Sequence, residues 1–87
     1  MLNIGNVYVT RGAANLLERT QTSALSLLAR HVAGDWGDLD DFDKKQNQLA
    51  VEYGNRVLSA YTVGDEKIWI ITEADRSATT MLLPEEY

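Results

Sequence analysis

The chain is 87 residues long, which is enough for one hydrophobic core, so the sequence predicts a single domain over residues 1–87. Its composition, 45% hydrophobic and 24% charged, is typical of a globular protein and excludes an intrinsically disordered one. The net charge of −5 argues against direct nucleic-acid binding, because phosphate-binding surfaces use clustered lysine and arginine.

The acidic balance is explained by solubility alone, or else it indicates the kind of partner to expect. We predict a protein partner, either a basic protein or one that itself binds nucleic acid. The absence of cysteine excludes disulfides and thiolate zinc sites and suits a reducing compartment. No apolar run is long enough to span a membrane, and residues 1–6 lack the layout of a signal peptide. We therefore expect a cytoplasmic protein with no membrane association.

The first half of the chain predicts one strand and two helices. Residues 6–10 are β-branched and aromatic and favour a short strand, and residues 13–19 favour a helix. Thr22 or Ser23 has the side chain to begin a second helix, and Gly34 is placed to end it. Four apolar residues of this second helix share a face by their spacing: Leu25, Leu28, Ala29 and Val32.

Residues 35–43 contain five aspartates, most of which a third helix explains. Asp38 or Asp40 can cap its first turn, where acidic residues also complement the helix dipole. An apolar stripe at helical spacing is expected to face the core, and Gly54 ends the helix; the stripe consists of Phe42, Leu49, Ala50 and Tyr53.

From residue 56 the apolar period changes to two, which is typical of strands. Residues 56–63, 67–73 and 78–83 are predicted strands joined by short turns, and Pro84 ends the last one. Short turns between successive strands predict an antiparallel meander. The expected fold class is α+β, with two to three helices packed on one face of a three- to four-stranded antiparallel sheet and the first strand at an edge.

Residues 30–38 join the helical half to the strand-rich half and hold the only histidine. His31 lies in the last turn of the second helix, where it can bind free carbonyls, form hydrogen bonds within the fold, or act as a general base. Trp36 can anchor the loop on the core or remain exposed for stacking or a partner. The flanking Gly34 and Gly37 indicate a bend that needs a positive φ or a close approach.

Neither a metal site nor a cofactor is predicted. Residues 38–43 carry several aspartates but depart from the calcium-loop pattern, with Phe42 at a ligand position and Asp43 at the position of the required glycine. No nucleophile elbow, phosphate-binding glycine loop or paired-histidine motif occurs.

One catalytic set remains conceivable from the residues alone. A helix-borne histidine facing a sheet that carries hydroxyl and cationic groups could cleave RNA without a metal, since a base activates the ribose 2′-OH and those groups stabilise the phosphorane. The residues of this set are His31, Arg56, Ser59, Tyr61, Thr72 and Thr79 or Thr80.

Two motifs resemble a family of small bacterial proteins that are often encoded on plasmids and integrated elements. The motifs are RHxxGDWGD over residues 30–38 and IWIITEADRSxTTxLLPxEY over residues 68–87. The likeness extends over most of residues 25–87. It implies a mobile-element setting and brings no established activity with it.

In outline the chain is also similar to ribonucleases of the barnase, colicin and RelE-like fold, which place an Arg-His helix before a meander with threonines on its last strand. His31, Arg56 and Thr79 or Thr80 are the matching positions. The negative net charge and the lack of a Lys/Arg cluster depart from that pattern.

We therefore expect a binding or regulatory module of a mobile element, which acts by occluding a host or defence protein; the alternative is a metal-independent ribonuclease or an inactive relative. An exposed edge strand also leaves the chain either a monomer or an edge-strand homodimer. The predicted partner-binding patch consists of His31, Asp35, Trp36, Asp38, Arg76 and Tyr87.

Overall fold

The computed structural model describes residues 2–87, which form an α+β fold of three α-helices and four strands. Among these residues, no helix is long and apolar enough to cross a membrane. In chain order the elements are β1 (Asn6–Val9), α1 (Arg11–Thr20), α2 (Ala24–Val32), α3 (Asp41–Tyr53), β2 (Val57–Val63), β3 (Glu66–Thr72), β4 (Ala78–Leu82) and a 3-10 turn (Pro84–Glu86).

Each α-helix begins at a residue whose side-chain oxygen accepts a hydrogen bond from a free backbone N–H. Thr10 caps α1, Ser23 caps α2 and Asp40 caps α3, and the Asp40 carboxylate accepts from the N–H of Asp43 at 2.8 Å. The predicted starts of the second and third helices are confirmed. Gly34 has a positive φ just beyond α2, as its position in the sequence predicts.

The strands form one mixed sheet in the order β1-β4-β3-β2. The antiparallel meander of β2, β3 and β4 is confirmed, and β1 is an edge strand. The expectation of an entirely antiparallel sheet is wrong, because β1 runs parallel to β4. Short turns fix the direction of the meander strands, but β1 reaches β4 only after three helices and two strands, a crossover long enough for parallel pairing.

The three helices pack on one face of the sheet, as predicted. Alternate residues of β2 are buried on this face, namely Val57, Ser59, Tyr61 and Val63. The main core cluster joins α1 and α2 to the middle of the sheet through Ala13, Leu16, Leu17, Leu27, Leu28, Tyr61, Val63, Ile68, Ile70 and Met81. A smaller cluster joins α3 to the sheet through Leu2, Trp36, Ala50 and Val57.

The predicted apolar stripes of two helices are only partly buried. In α2 the buried residues are Leu27, Leu28 and His31, whereas Leu25 is 77% exposed. In α3 the buried residues are Asn47 and Ala50, and the rest of the expected stripe is exposed. Both helices are therefore rotated, so that an apolar stripe that would suit a core lies at the surface.

The other face of the sheet is lined by Leu58, Trp69, Thr80 and their neighbours. The C-terminal 3-10 turn lies against β3, and the Tyr87 ring meets the Trp69 ring edge-on at a centroid distance of 5.9 Å. The core residues of the helices lie on the opposite side. One face is therefore covered by the helices, and the other is only partly covered.

Candidate functional site

His31 lies at the centre of a buried hydrogen-bond network that joins α2 to three strands. Its Nδ1 lies 2.5 Å from the Ser59 hydroxyl, and its Nε2 lies 2.9 Å from the Thr72 hydroxyl. The Thr72 and Thr79 hydroxyls are 2.7 Å apart, and Thr79 donates to the carbonyl of Ile4. The side chains of His31, Ser59, Thr72 and Thr79 are almost completely buried.

The Ile4 carbonyl ends this network and can only accept, so it fixes which group donates in each hydrogen bond. Because Thr79 donates to the Ile4 carbonyl, it accepts from Thr72, and Thr72 in turn accepts from Nε2–H of His31. Nδ1 is then the acceptor for the Ser59 hydroxyl. Burial lowers the pKa of His31 to about 4, so the imidazole is neutral at pH 7. Both ring nitrogens are used within the fold, as in the hydrogen-bonding role considered for this residue.

The residues of the conceivable ribonuclease set do not meet at one exposed site within residues 2–87. His31 and Thr79 share the buried network, but Thr80 pairs with Ile71 on the other face of the sheet. Arg56 precedes β2, where its Nε lies 3.6 Å from a Glu73 carboxylate oxygen. His31 is therefore buried away from Arg56 and from the face of the sheet that carries Thr80.

Residues 36–38 cover the outer edge of β2. The N–H of Ala60 donates to the Trp36 carbonyl, and the N–H of Asp38 donates to the Ala60 carbonyl. Gly37, with φ of 75°, lies so close to the Ala60 carbonyl that a Cβ would overlap it. The Asn47 side chain of α3 continues this cover by bonding both the N–H and the carbonyl of Leu58. The glycine-flanked motif thus acts as an edge cover for the sheet.

Trp36 anchors this cover. Its side chain is 9% exposed and packs with Ala50 and Val57, which is the anchoring role considered for it. Within the described residues its Nε1 is buried and has no hydrogen-bond partner. Trp36 and His31 also line a cavity of about 290 Å³, together with Leu2, Val32, Ala33, Gly34, Gln48 and Val51.

The two aspartates of the motif are exposed and ion-paired. Arg30 donates to Asp35 at 2.7 Å, and this hydrogen bond lowers the pKa of the Asp35 carboxyl. Asp38 accepts from the Thr62 hydroxyl and from Lys67, and both bonds lower the pKa of its carboxyl. These pairs hold the loop in position over the β2 edge, although exposed ion pairs add little stability.

Arg76 and Tyr87 lie at the other end of β2 from Asp38. Arg76 donates to the carbonyl of Ala50 in the last turn of α3 and to the carbonyl of Asn55 just beyond the helix. The Tyr87 hydroxyl accepts from Arg56. The structure therefore separates these two residues from the motif, but Arg76 and Trp36 both hold α3.

The surface that sequence reasoning missed is the outer side of α3. Phe42 and Tyr53 are each 70% exposed, and Leu49 is 39% exposed. At i, i+7 and i+11 the three side chains fall within about 20° of one line along the helix. Lys45 and Gln46 lie where a core-facing stripe carries apolar residues, and this signal could have identified the stripe as external.

Acidic residues surround one end of this stripe. Asp41 and Asp43 lie beside Phe42 in the first turn of α3, and among residues 2–87 no ion pair engages either. No group of three or more histidine, aspartate or glutamate side chains in this range could hold a metal ion. The α3 stripe is therefore apolar, with an acidic border at its N-terminal end.

Comparison with protein-family models, with curated proteins and with solved structures gives no match for this chain. The geometry of the described residues therefore carries the functional proposal.

Proposed function

We propose that this protein is a non-catalytic protein-binding module, and that its binding surface is the α3 stripe of Phe42, Leu49 and Tyr53. The observation that carries the proposal is the alignment of two 70% exposed aromatic side chains and a leucine on one side of a 13-residue helix. Exposed apolar residues are ordinary when scattered, but an aligned set on a helix is the usual means by which a helix enters a partner's groove.

The stripe also defines the chemistry of its partner. Phe42 and Tyr53 are 11 residues apart, which corresponds to about 16 Å along the helix axis. The complementary surface is an apolar groove of that length with basic side chains at the end that receives Phe42, opposite Asp41 and Asp43. A protein that binds nucleic acid has such basic side chains, and covering them is a direct way to inhibit it.

Residues of the patch expected from sequence position this helix. Trp36 packs under Ala50, and Arg76 binds the carbonyls at the C-terminal end of α3. His31 is buried beneath the same corner, where it lines one cavity together with Trp36. A helix fixed before binding loses less conformational entropy on association, which favours affinity.

We further propose that the partner is a host or defence protein that the module occludes. This step rests on the resemblance of two motifs to proteins of plasmids and integrated elements, together with the acidic border of the stripe. It places the partner in the cytoplasm of the cell that carries the element.

The test uses a photo-crosslinking amino acid placed at position 42, 53 or 44, in cells of the native host. Positions 42 and 53 lie on the stripe, whereas Lys44 is exposed on another side of the same helix. We expect crosslinks to one basic protein from positions 42 and 53 and none from position 44. Equal crosslinking from all three positions, or none from any, would contradict the proposal.

Binding to the captured protein is then measured with purified variants. Phe42→Ala and Tyr53→Ala are expected to weaken binding roughly 30-fold each, as is common for aromatic anchors, whereas Lys44→Ala leaves it unchanged. Asp41→Asn and Asp43→Asn should slow association and reduce its salt dependence. Since both aromatic side chains are exposed, these substitutions should leave the fold intact, which circular dichroism checks.

A further inference from the structure

The outer edge of β1 is open, in contrast to the covered edge of β2. Asn6 and Thr10 donate to carbonyls of Ser77 and Met81, so alternate residues from Asn6 onward face β4. By the alternation of a parallel ladder, the peptide groups of Val7 and Val9 point away from the sheet. Among residues 2–87, no group beyond the sheet bonds to them. All four residues of β1 are exposed.

An apolar groove of about 450 Å³ runs beside this edge. Val7 forms one side, and the apolar stripe of α2 forms the other; the lining comprises Ile4, Val7, Leu25, Leu28, Ala29, Val32 and Ala33. Leu25 is 77% exposed. The edge strand and the groove therefore form one continuous surface, in which backbone hydrogen-bonding groups lie next to apolar side chains.

We infer that this surface binds a second copy of the chain, through antiparallel pairing of β1 with its symmetry mate. When Tyr8 lies opposite Tyr8 of the second copy, Val7 of each copy lies opposite Val9 of the other. Each Val7–Val9 pair then exchanges two backbone hydrogen bonds, so the four outward peptide groups are all satisfied. The result is a continuous eight-stranded sheet with two-fold symmetry.

Charge and composition favour a second copy as the occupant. The chain carries 13 acidic residues, yet neither β1 nor α2 contains one. Two chains of net charge −5 can therefore meet at this surface without placing carboxylates on the paired strands. Glu86 lies beyond the C-terminal end of β1, where the Thr10 hydroxyl and the Gly12 N–H hold its carboxylate. β1 also lacks the lysine, proline or bulge by which monomers protect an edge.

The register follows from the same geometry. Pairing Val7 with Val7, or Val9 with Val9, would extend the ladder into Gly5 or Arg11, which lie outside β1. Only the register centred on Tyr8 confines both hydrogen-bonded pairs to the strand. In that register the side chains of Val7, Val9 and Leu25 of both copies lie on the face of the sheet that carries the helices. There they would cover the groove of each copy.

The register is tested with single-cysteine variants, because the chain has no cysteine of its own. The two Tyr8 residues would form a non-hydrogen-bonded pair with Cα atoms about 4.5 Å apart, within the range of a disulfide. Under mild oxidation, Tyr8→Cys should form a covalent dimer at least roughly tenfold faster than Val7→Cys or Val9→Cys. Equal rates for the three variants would overturn the proposed pairing.

Sedimentation at rising micromolar concentration measures the association itself. We expect the mass to rise from 9.7 kDa towards twice that value. Leu25→Lys should weaken association roughly tenfold or more, because it places charge in the groove. Phe42→Lys, the same change on α3, should leave the dimer intact and so separates this surface from the α3 stripe. A monomer throughout the range would overturn the inference.

Discussion

The role of His31 is determined by its hydrogen-bond partners. Sequence reasoning identified the only histidine and grouped it with Ser59, Thr72 and Thr79, and the structure brings these four side chains together. What the sequence did not predict is their burial. A histidine near a helix end has the same spacing whether it faces solvent or core, and only the packing of three strands decides between the two. The network therefore joins elements and offers no exposed base.

Because this imidazole is buried, the protein is expected to lose stability as the pH is lowered. The unfolded chain binds a proton at His31 near its ordinary pKa of 6.5, whereas the folded chain binds it only near 4. Between these values the unfolded state holds more protons, so the free energy of unfolding falls as pH is lowered from about 6.5 to about 4. The loss from this group is about 3 kcal/mol.

Urea unfolding across this pH range measures the effect, with His31→Gln as the variant that should lose it. The single histidine also gives one set of ring signals by NMR, which should not titrate above pH 5 and should report the Nε2–H tautomer. A titration midpoint near 6.5 would show that the ring is exposed and that the network does not hold.

At the scale of elements, most boundaries were predictable from the sequence and two helix faces were not. Caps, glycines and a change of apolar period indicate where elements begin and end, since these signals are local. The buried side of α3 depends on Asn47, whose amide bonds the backbone of Leu58. A polar residue at the centre of a helix–sheet contact contradicts the usual pattern of apolar spacing. Apolar spacing alone therefore assigned Phe42 to the core side of α3, although its side chain is 70% exposed.

The edge cover of β2 depends on the close approach of Gly37, and this can be tested against Gly54. Both glycines have φ of 75°, but a Cβ at Gly54 meets nothing within 4 Å, whereas one at Gly37 would overlap Ala60 and Tyr61. Gly54→Ala should cost about 1 kcal/mol for its left-handed backbone. Gly37→Ala should cost about 1–3 kcal/mol more, because the loop must move from the strand.

Chemical denaturation of the two variants provides the comparison, since both glycines have the same φ. The difference between them isolates the contact of Gly37 with β2. Equal destabilisation would mean that residues 36–38 bind the edge more loosely than the structure describes.

At the scale of the whole molecule, the two edges of the sheet differ in whether other groups cover their backbone. The β2 edge is covered by backbone and amide groups, and the β1 edge is open. The sequence predicted that the first strand lies at an edge. It did not predict the parallel direction of that strand, because direction here is set by a long crossover and leaves no local pattern.

Hydrogen exchange should show this asymmetry directly. In dilute protein, the outward amides of Leu58 and Ala60 are expected to exchange slowly, whereas those of Val7 and Val9 exchange fast, because only the first pair is hydrogen-bonded within the chain. NMR-detected exchange of assigned amides measures both in one sample. Comparable protection at the two edges would contradict the open-edge description.

The pairing of β1 with β4 has a consequence for biosynthesis. β1 is completed within the first nine residues, but its only partner strand in the sheet ends at Leu82. As the ribosome adds residues one at a time, β1 has no partner strand until the residues up to Leu82 have been made. During that interval Val7, Tyr8 and Val9 lack both their partner in the same chain and any cover. The first strand of the sheet is therefore the last to be paired, and it stays open to aggregation while residues 10–82 are added.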